Sequence, residues 1–431
     1  MTDTPRKLPL LRDAAAILLG LTVPAMVSGR AVLQGLAALC LVLALILAAA
    51  DPDIRRRWRE AVFGRFGLVV LIAFAGMAVS IPGSLDPLRS ADAWARTLAY
   101  IGACVLFWAF LAGDARARRL ALSGFVLLAG IGALLVAAAQ LGFRLPLQVV
   151  RNALDVTSSA WAFTDLKAYA AVAACMVPVL VWLAVAHACR PLRWGVVGTV
   201  AIILCLLVTT GNKSAIAGLL AAALVVSLAA ALRRRGRWLA AWPLVAAAVV
   251  GAVVAGVYEL PDAPPASAVW PWMPPELVDT HRQQIWRFTA SKIAEAPWTG
   301  WGINCIDRAP GAHDIPTGYR VEVLPSHPHN WVLEILAETG VIGLLPVLAA
   351  LLWYGGQQAR RHVLTGEGTA LARLALWATF WGSSLFNFSI WSSWWLITFF
   401  LLTALMAAGQ GEGGGDSDQA SRPPASAPGN G

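Results

Sequence analysis

The chain has 431 residues, of which 58% are hydrophobic and only 13% are charged, with apolar runs of about 20 residues along it. Runs of that length match the roughly 30 Å hydrocarbon core of a bilayer, so the composition excludes a soluble globular enzyme and predicts an all-α polytopic membrane protein. The net charge of +9 gives no reason to expect a nucleic acid partner, because the basic residues collect in predicted inner loops.

About twelve membrane spans are predicted in chain order. They lie near residues 14–28, 31–50, 66–82, 93–112, 119–141, 160–188, 194–210, 214–232, 238–258, 330–355, 368–388 and 391–408. With the N-terminus inside, 21 of the 33 Lys and Arg residues fall in inner loops, which predicts that both termini are cytoplasmic. The first span is expected to be retained, since no clear cleavage site follows it.

The predicted organisation has four parts. Spans one to nine occupy residues 1–258, a large outer loop occupies 259–328, spans ten to twelve occupy 329–409, and a disordered cytoplasmic tail occupies 410–431. The loop is rich in proline at first, and Asp279 to Ala296 then shows the spacing of an amphipathic helix, with Asp279 or Thr280 as N-cap. Cys305 is the only cysteine of the outer loop, so no disulfide is expected there.

Tryptophans cluster near the predicted outer ends of the spans, where interfacial anchoring accounts for most of them. They are Trp270, Trp272, Trp298, Trp301, Trp331, Trp391, Trp394 and Trp395.

The most informative polar segment runs from Ser326 to Trp331, at the mouth of the tenth span. It places His327, His329 and Asn330 at the membrane boundary, where ionisable groups are costly and indicate a functional site. The positive end of the helix dipole and nearby cations disfavour imidazolium, so His329 is expected to be neutral and able to act as a general base. Gly340 is expected to share its helix face and to let a neighbouring helix pack closely.

Several cations are predicted on the same outer side and suggest an anionic ligand such as a diphosphate. They include Arg89, Lys167, Lys213, Arg282 and Arg287. Lys213 lies in a minimal turn between two spans, where it either faces a cavity or extends to the interface. Arg282 and Arg287 point about 140° apart on a helix, so at most one of them is expected to face the same ligand.

Other interpretations of these residues remain open. His327 and His329 could bind zinc together with His313 or Asp314, or they could be interfacial capping groups without chemistry. Glu334 and Glu338 lie one helical turn apart, and they could hold substrate, carry protons or pair with an outer arginine.

These residues resemble the O-antigen ligase and polymerase superfamily. His329-Asn330, nine residues and then Gly340-x2-Gly343 look like its H-N-x9-G-x-x-G signature. Arg282-x3-Trp286 followed by Pro297, Gly300 and Gly302 is similar to its loop helix and glycine turn. Lys213, within Thr210 to Ser214, stands where the family usually has arginine, which keeps the charge and loses the bidentate fork.

The resemblance implies a glycosyltransferase of the C-type architecture, with one large periplasmic loop, in the bacterial inner membrane. Such an enzyme moves O-antigen glycan from undecaprenyl diphosphate to a sugar hydroxyl of lipid A-core, with inversion, without metal and without a cofactor. It would act among membrane lipids with no nucleic acid partner. The alternatives are O-antigen polymerase, protein O-oligosaccharyltransferase and, from another class, a secondary transporter of an organic anion, which would normally show inverted repeats.

On this resemblance, His329 is the predicted base, and Arg282 and Lys213 are predicted to hold the diphosphate. The predicted substrate contacts are Asn330, His327, Arg287, Arg89 and Lys167, and the predicted structural glycines are Gly340, Gly343, Gly300 and Gly302.

Overall fold

A computed structural model describes residues 4–153, 166–186, 189–235 and 279–409, and this part of the chain is helical without β-strands. The prediction of an all-α protein is therefore confirmed for the described residues. They form fourteen α-helices: α1 Thr4–Thr22, α2 Arg30–Ala50, α3 Pro52–Val62, α4 Arg65–Ala78, α5 Pro87–Ala112, α6 Ala115–Gln140, α7 Leu145–Ala153, α8 Lys167–Ala186, α9 Arg190–Thr209, α10 Lys213–Arg235, α11 Thr280–Glu295, α12 Trp331–Thr365, α13 Gly368–Ser384 and α14 Ser393–Ala408.

Seven of the described helices are long and apolar enough to cross a membrane, namely α2, α5, α6, α8, α9, α10 and α12. The pair α3 and α4, bent by 54°, would make an eighth span if counted together, and α14 is a shorter apolar helix. The membrane class therefore follows from the helices themselves, whereas the number twelve stays a prediction. The predicted ninth span at 238–258, the loop residues 259–278 and the tail 410–431 lie outside the described residues.

The helices pack as a bundle around α8, in whose most apolar window 89% of the residues are buried. It contacts α9 and α13, and the other main pairs are α10 with α13, α1 with α6, α5 with α14, and α4 with α12. Large side chains such as Phe125, Phe380 and Trp395 are fully buried between them. The C-terminal end of α13, near Ser383, packs against Gly218 of α10, and the candidate site forms beside this end.

Arginines of the predicted inner loops close the ends of several helices. Arg118 donates to two carbonyls at the end of α5, Arg55 donates to two at the end of α2, and Arg233 donates to one near the end of α12. The last carbonyls of a helix have no partner within it, so a cation at this position supplies the missing donors. These basic side chains thus stabilise helix ends, and the membrane orientation of the chain stays a prediction.

The longest helix, α12, is broken at Gly340, where φ is 63° and ψ is −171°. The turn 297–302 packs into this break. Two N–H groups after the break donate to carbonyls of the turn, and two N–H groups of the turn donate to carbonyls before the break, at 2.8 to 3.2 Å. The turn therefore replaces the hydrogen bonds that the break removes from the helix.

Gly340 does not act as the sequence analysis expected. A Cβ atom at this position would lie 2.1 Å from the carbonyl oxygen of Trp298, so the close neighbour is the turn and not a helix. The shared helix face with His329 is also wrong, because α12 begins two residues after His329. Close packing on a helix occurs instead at Gly343, where a Cβ would lie 3.3 Å from the Cα atom of Met77 on α4.

Gly300 and Gly302 shape the turn through their backbone conformation and close contacts. Their φ angles are 66° and 105°, a region that side-chain-bearing residues rarely adopt. A Cβ on Gly300 would lie 2.3 Å from the carbonyl carbon of Glu338, and one on Gly302 would lie 1.9 Å from the Oγ atom of Ser84. Only glycine therefore fits at both positions.

The prediction of interfacial anchoring is wrong for the tryptophans around α12, α13 and α14. Trp331, Trp391, Trp394 and Trp395 are all buried within the bundle. Three of them use the indole N–H to bind protein groups, among them Trp395, which donates to the Oγ atom of Ser384 at 2.9 Å. Trp298, by contrast, is 65% exposed, as an anchoring residue would be.

Candidate active site

His329 and Asn330 form the entry into α12. His329 has a φ of 55° and is one of two non-glycine residues with positive φ in the described part of the chain. Residues held in this region are uncommon and cluster at functional sites. Asn330 is the N-cap, and its amide oxygen accepts hydrogen bonds from the N–H groups of Val332 and Leu333 at 3.0 and 3.2 Å. The structure thus uses this oxygen for the cap, and another residue orients His329.

The main-chain carbonyl of Asn387 holds the imidazole ring of His329, with 2.9 Å between its oxygen and Nδ1. Because a carbonyl oxygen can only accept a hydrogen bond, Nδ1 carries the proton and Nε2 keeps a lone pair. Asn387 lies in the connection 385–392 between α13 and α14, and its side chain donates to the Oγ atom of Ser383 at 3.2 Å. This geometry fixes the tautomer that a general base needs.

Burial lowers the pKa of His329 from its ordinary value, and the positive charge of Arg282 lowers it further, while the contact with the Asn387 carbonyl opposes the shift. The direction agrees with the sequence prediction, although burial and not the helix dipole is the main cause. The ring is therefore neutral near pH 7 and able to accept a proton.

His327 packs against His329, with 4.1 Å between the ring centroids. Burial is the main cause that lowers the pKa of His327 to about 3. Its Nδ1 atom lies 2.8 Å from the Oγ atom of Ser326, and its Nε2 atom is buried without a partner among the described residues. His327 therefore contributes a neutral ring that can donate one N–H.

Arg282 reaches the same site from α11. Its Nη1 atom donates to the carbonyl of Phe386 at 3.1 Å, and its Nε atom pairs with Asp279 at 3.1 Å. Phe386 precedes Asn387, so the guanidinium lies beside the connection that holds His329. The structure therefore brings Arg282 and His329 to the same connection, and Asp279, one of the two predicted N-cap residues, caps α11.

Lys213 and Lys167 are exposed at the first residues of α10 and α8. The side chain of Asn212 donates to the carbonyl of Lys167 at 2.8 Å, which joins the two helix starts. Gly218 of α10 packs on Ser383 of α13, and Lys213 precedes Gly218 by about 7.5 Å of helix. At its other end, α10 contacts the last turn of α12, which directly precedes α13. The helices α10 and α13 are therefore antiparallel, and Lys213 lies at the same end of the bundle as the connection 385–392.

Arg89 lies near the start of α5, and Arg287 lies in the middle of α11. Arg89 forms an ion pair with Asp307 at 3.0 Å, and beside it Arg308 pairs with Asp86, so Arg89 ties the loop 302–308 to α5. Arg287 is exposed on α11. The structure therefore brings one of the two predicted arginines of α11, Arg282, to the histidines, and gives Arg89 a carboxylate partner.

Two carboxylates buried in α12 were only partly anticipated. Glu334 accepts hydrogen bonds from the hydroxyl of Ser389 and from the N–H of Ile390. Glu338 accepts from the main-chain N–H groups of Asn304 and Ile306 and from the indole N–H of Trp391. Neither forms an ion pair with an arginine among the described residues, so the pairing considered from the sequence is not found.

The zinc alternative lacks a ligand set in the described part of the chain. No group of three His, Cys, Asp or Glu residues there is arranged to hold a metal ion. His313, which the alternative would need beside His327 and His329, is exposed, and its Nδ1 atom lies 2.8 Å from a carboxylate oxygen of Glu322.

Comparison with known proteins points to one family. Residues 198–348, about a third of the chain, match the family model described as O-antigen ligase. This region contains Lys213, Arg282, His329 and both carboxylates, whereas Asn387 lies beyond it. The match therefore covers most of the candidate site.

Three similar proteins come from Rickettsia conorii, Rickettsia prowazekii and Rickettsia typhi, and each carries the provisional name polysaccharide ligase. They are 29%, 27% and 26% identical to this chain over 129 residues. The aligned stretch is 29% of this chain and 31% of each relative, so the chain spans about a third of the length of the relatives it matches. Residues 198–348 are therefore similar to the O-antigen ligase family.

Proposed function

We propose that this protein is a glycosyltransferase that moves O-antigen glycan from undecaprenyl diphosphate to a sugar hydroxyl of lipid A-core. The reaction would take place at the periplasmic face of the bacterial inner membrane. The observation that carries the proposal is the His329 ring, whose Nδ1 atom is held by the Asn387 carbonyl so that Nε2 can accept a proton. The similarity of residues 198–348 to the O-antigen ligase family supports the kind of substrate.

In this reaction Nε2 of His329 removes the proton from the acceptor hydroxyl. The hydroxyl oxygen attacks the anomeric carbon of the glycan, a new C–O bond forms, and the bond from that carbon to the diphosphate oxygen breaks. A single displacement of this kind inverts the anomeric centre. Undecaprenyl diphosphate leaves with the electron pair, and general base catalysis typically contributes about 10²- to 10⁴-fold to such a step.

Negative charge develops on the leaving diphosphate, and two cations are available for it. Arg282 uses Nη1 and Nε for Phe386 and Asp279, which leaves Nη2 to donate to a phosphate oxygen. Lys213 is exposed at the same end of the bundle and supplies a point charge. Fixed cations next to a developing charge stabilise the transition state without reorganisation at the moment of reaction.

The test supplies the purified full-length protein with undecaprenyl-diphosphate-linked glycan and lipid A-core and measures glycan-bearing lipid. His329→Ala should lose transfer by at least about 100-fold while the protein remains folded. His313→Ala is the matched control and should retain activity, because His313 is an exposed histidine whose partner is the carboxylate of Glu322. Full activity of His329→Ala refutes the assignment of the base, and formation of a longer glycan instead of glycan-bearing lipid would identify a polymerase.

A further inference from the structure

The buried carboxylates of α12 bind the loops that surround His329. Resting on the function proposed above, we propose that Glu334 is a positioning residue. It fixes the connection 385–392, whose Asn387 carbonyl orients the catalytic ring of His329. Glu338 joins this connection to the loop 302–308 and holds the wall of the site.

Glu334 is 1% exposed, and both of its oxygens are used. One accepts from the Ser389 hydroxyl and the other from the Ile390 N–H, the latter at 2.9 Å. The Ser389 oxygen in turn accepts from the N–H of Trp391 at 3.1 Å. Three consecutive residues of the connection are therefore bound directly or through one hydroxyl to a single carboxylate.

Asn387 lies between two anchors. On one side its own side chain is bonded to Ser383 at the end of α13, and on the other side Ser389, two residues later, is bonded to Glu334. Its carbonyl oxygen is the group that meets Nδ1 of His329. A short segment held at both ends leaves little freedom for that carbonyl, so the position of the imidazole depends on Glu334.

Glu338, one turn further along the same face of α12, binds residues of two loops and not of one. It accepts from Asn304 at 2.7 Å, from Ile306 at 3.4 Å and from the indole of Trp391. Asn304 is the other non-glycine residue with positive φ in the described ranges. Replacing Glu338 would disturb two loops at once and could unfold the site. Among the described residues, the side chain of Glu334 hydrogen-bonds only to the connection 385–392, so a substitution there tests the positioning of His329 with less effect on folding.

Glutamine at position 334 keeps the size of the side chain and changes its hydrogen bonds. The amide oxygen can still accept from Ile390, but the amide nitrogen would face the Ser389 hydroxyl, whose proton then loses its acceptor. Ser389→Ala removes the same contact from the other side without altering the carboxylate. If both act through this contact, the double variant should lose no more activity than the more affected single variant.

The experiment measures kcat, donor KM and the pH profile of kcat for Glu334→Gln and Ser389→Ala, on full-length protein with undecaprenyl-diphosphate-linked glycan and lipid A-core. We expect kcat to fall by up to about 100-fold with donor KM unchanged. The acid limb of the profile should also move to lower pH, because the Asn387 contact raises the pKa of His329. The other groups that face His329 are Arg282 and His281 on α11, Asp279 at the N-cap of α11, and His327.

Ser392→Ala, in the same connection and with no side-chain hydrogen bond at its cap position, is the matched control and should behave like the unaltered protein. A purely structural Glu334 would lower the folded fraction and leave kcat per folded molecule and its pH profile unchanged, which would overturn the proposal. If Glu334→Gln fails to fold, Ser389→Ala decides by the same two readouts. His329→Ala separates the hypotheses, since its full activity would refute the proposed base whatever Glu334 does.

Discussion

Replacing Gly340 with alanine should destabilise the protein strongly, because the break in α12 exists only with glycine at this position. The backbone at φ 63° and ψ −171° lies in a region that is nearly restricted to glycine and costs other residues about 1–3 kcal/mol. The added Cβ would also lie 2.1 Å from the Trp298 carbonyl oxygen and 2.2 Å from its carbon. Overpacking against backbone costs about 1–3 kcal/mol, so the expected loss in unfolding free energy is about 2–6 kcal/mol.

The assay is reversible unfolding in detergent micelles, followed by tryptophan fluorescence, for Gly340→Ala and for Gly35→Ala. Gly35 lies within α2, and no atom lies within 4 Å of the place that a Cβ would take there, so alanine should stabilise the helix by about 0.5–1 kcal/mol. Glycan transfer by Gly340→Ala should fall together with stability, since the turn 297–302 packs into the break. Unfolding of Gly340→Ala at the same denaturant concentration as the unaltered protein would refute the reasoning.

Three further outcomes are expected. Arg282→Ala should weaken donor binding by about 10- to 100-fold, the range of a hydrogen bond to a charged group. The loss should be smaller for Arg282→Lys and absent for the exposed Arg320→Ala. An equal donor KM in all three variants would contradict the phosphate contact. Burial lowers the pKa of His329, and the neutral ring is the base. Transfer should therefore persist as the pH falls to about 6.5, the ordinary pKa of histidine, and should be lost only below that pH. A loss of transfer that begins above about pH 6.5 would contradict the lowered pKa. Transfer measured after EDTA treatment and dialysis should equal the untreated rate, and loss restored by Zn²⁺ would favour the metal alternative.

Local patterns in the sequence predicted a good part of the structure. The helix at Thr280–Glu295 follows from apolar residues at three- and four-residue steps and from the capping carboxylate of Asp279, and both signals lie within a few residues of each other. The start of α12 just after His329 is visible for the same reason, since a polar cap precedes a long apolar run. The meeting of Arg282 with His329 was expected from the family resemblance and not from periodicity.

The residues that complete the site could not be found in this way. Asn387 acts through its main-chain carbonyl, a group that every residue carries, so no side-chain pattern marks it. The only signal was an amide in the apolar stretch Phe386-Asn387-Phe388. Glu334 and Glu338 were visible as a pair, but their partners lie between 32 and 56 residues away in sequence.

By itself, the sequence determined the membrane class, the helix-forming segments and the placing of a histidine before the long helix, because chain length, hydropathy and capping are properties of neighbouring residues. Only the tertiary structure decided that α12 breaks at Gly340 around the turn 297–302, that Asn387 orients His329, and that Glu334 and Glu338 bind two loops. Each of these depends on hydrogen bonds between distant segments, and such bonds form only when the helices pack. The His329 site therefore depends both on a local sequence signal, a histidine before a capped helix, and on hydrogen bonds to segments that are distant in sequence.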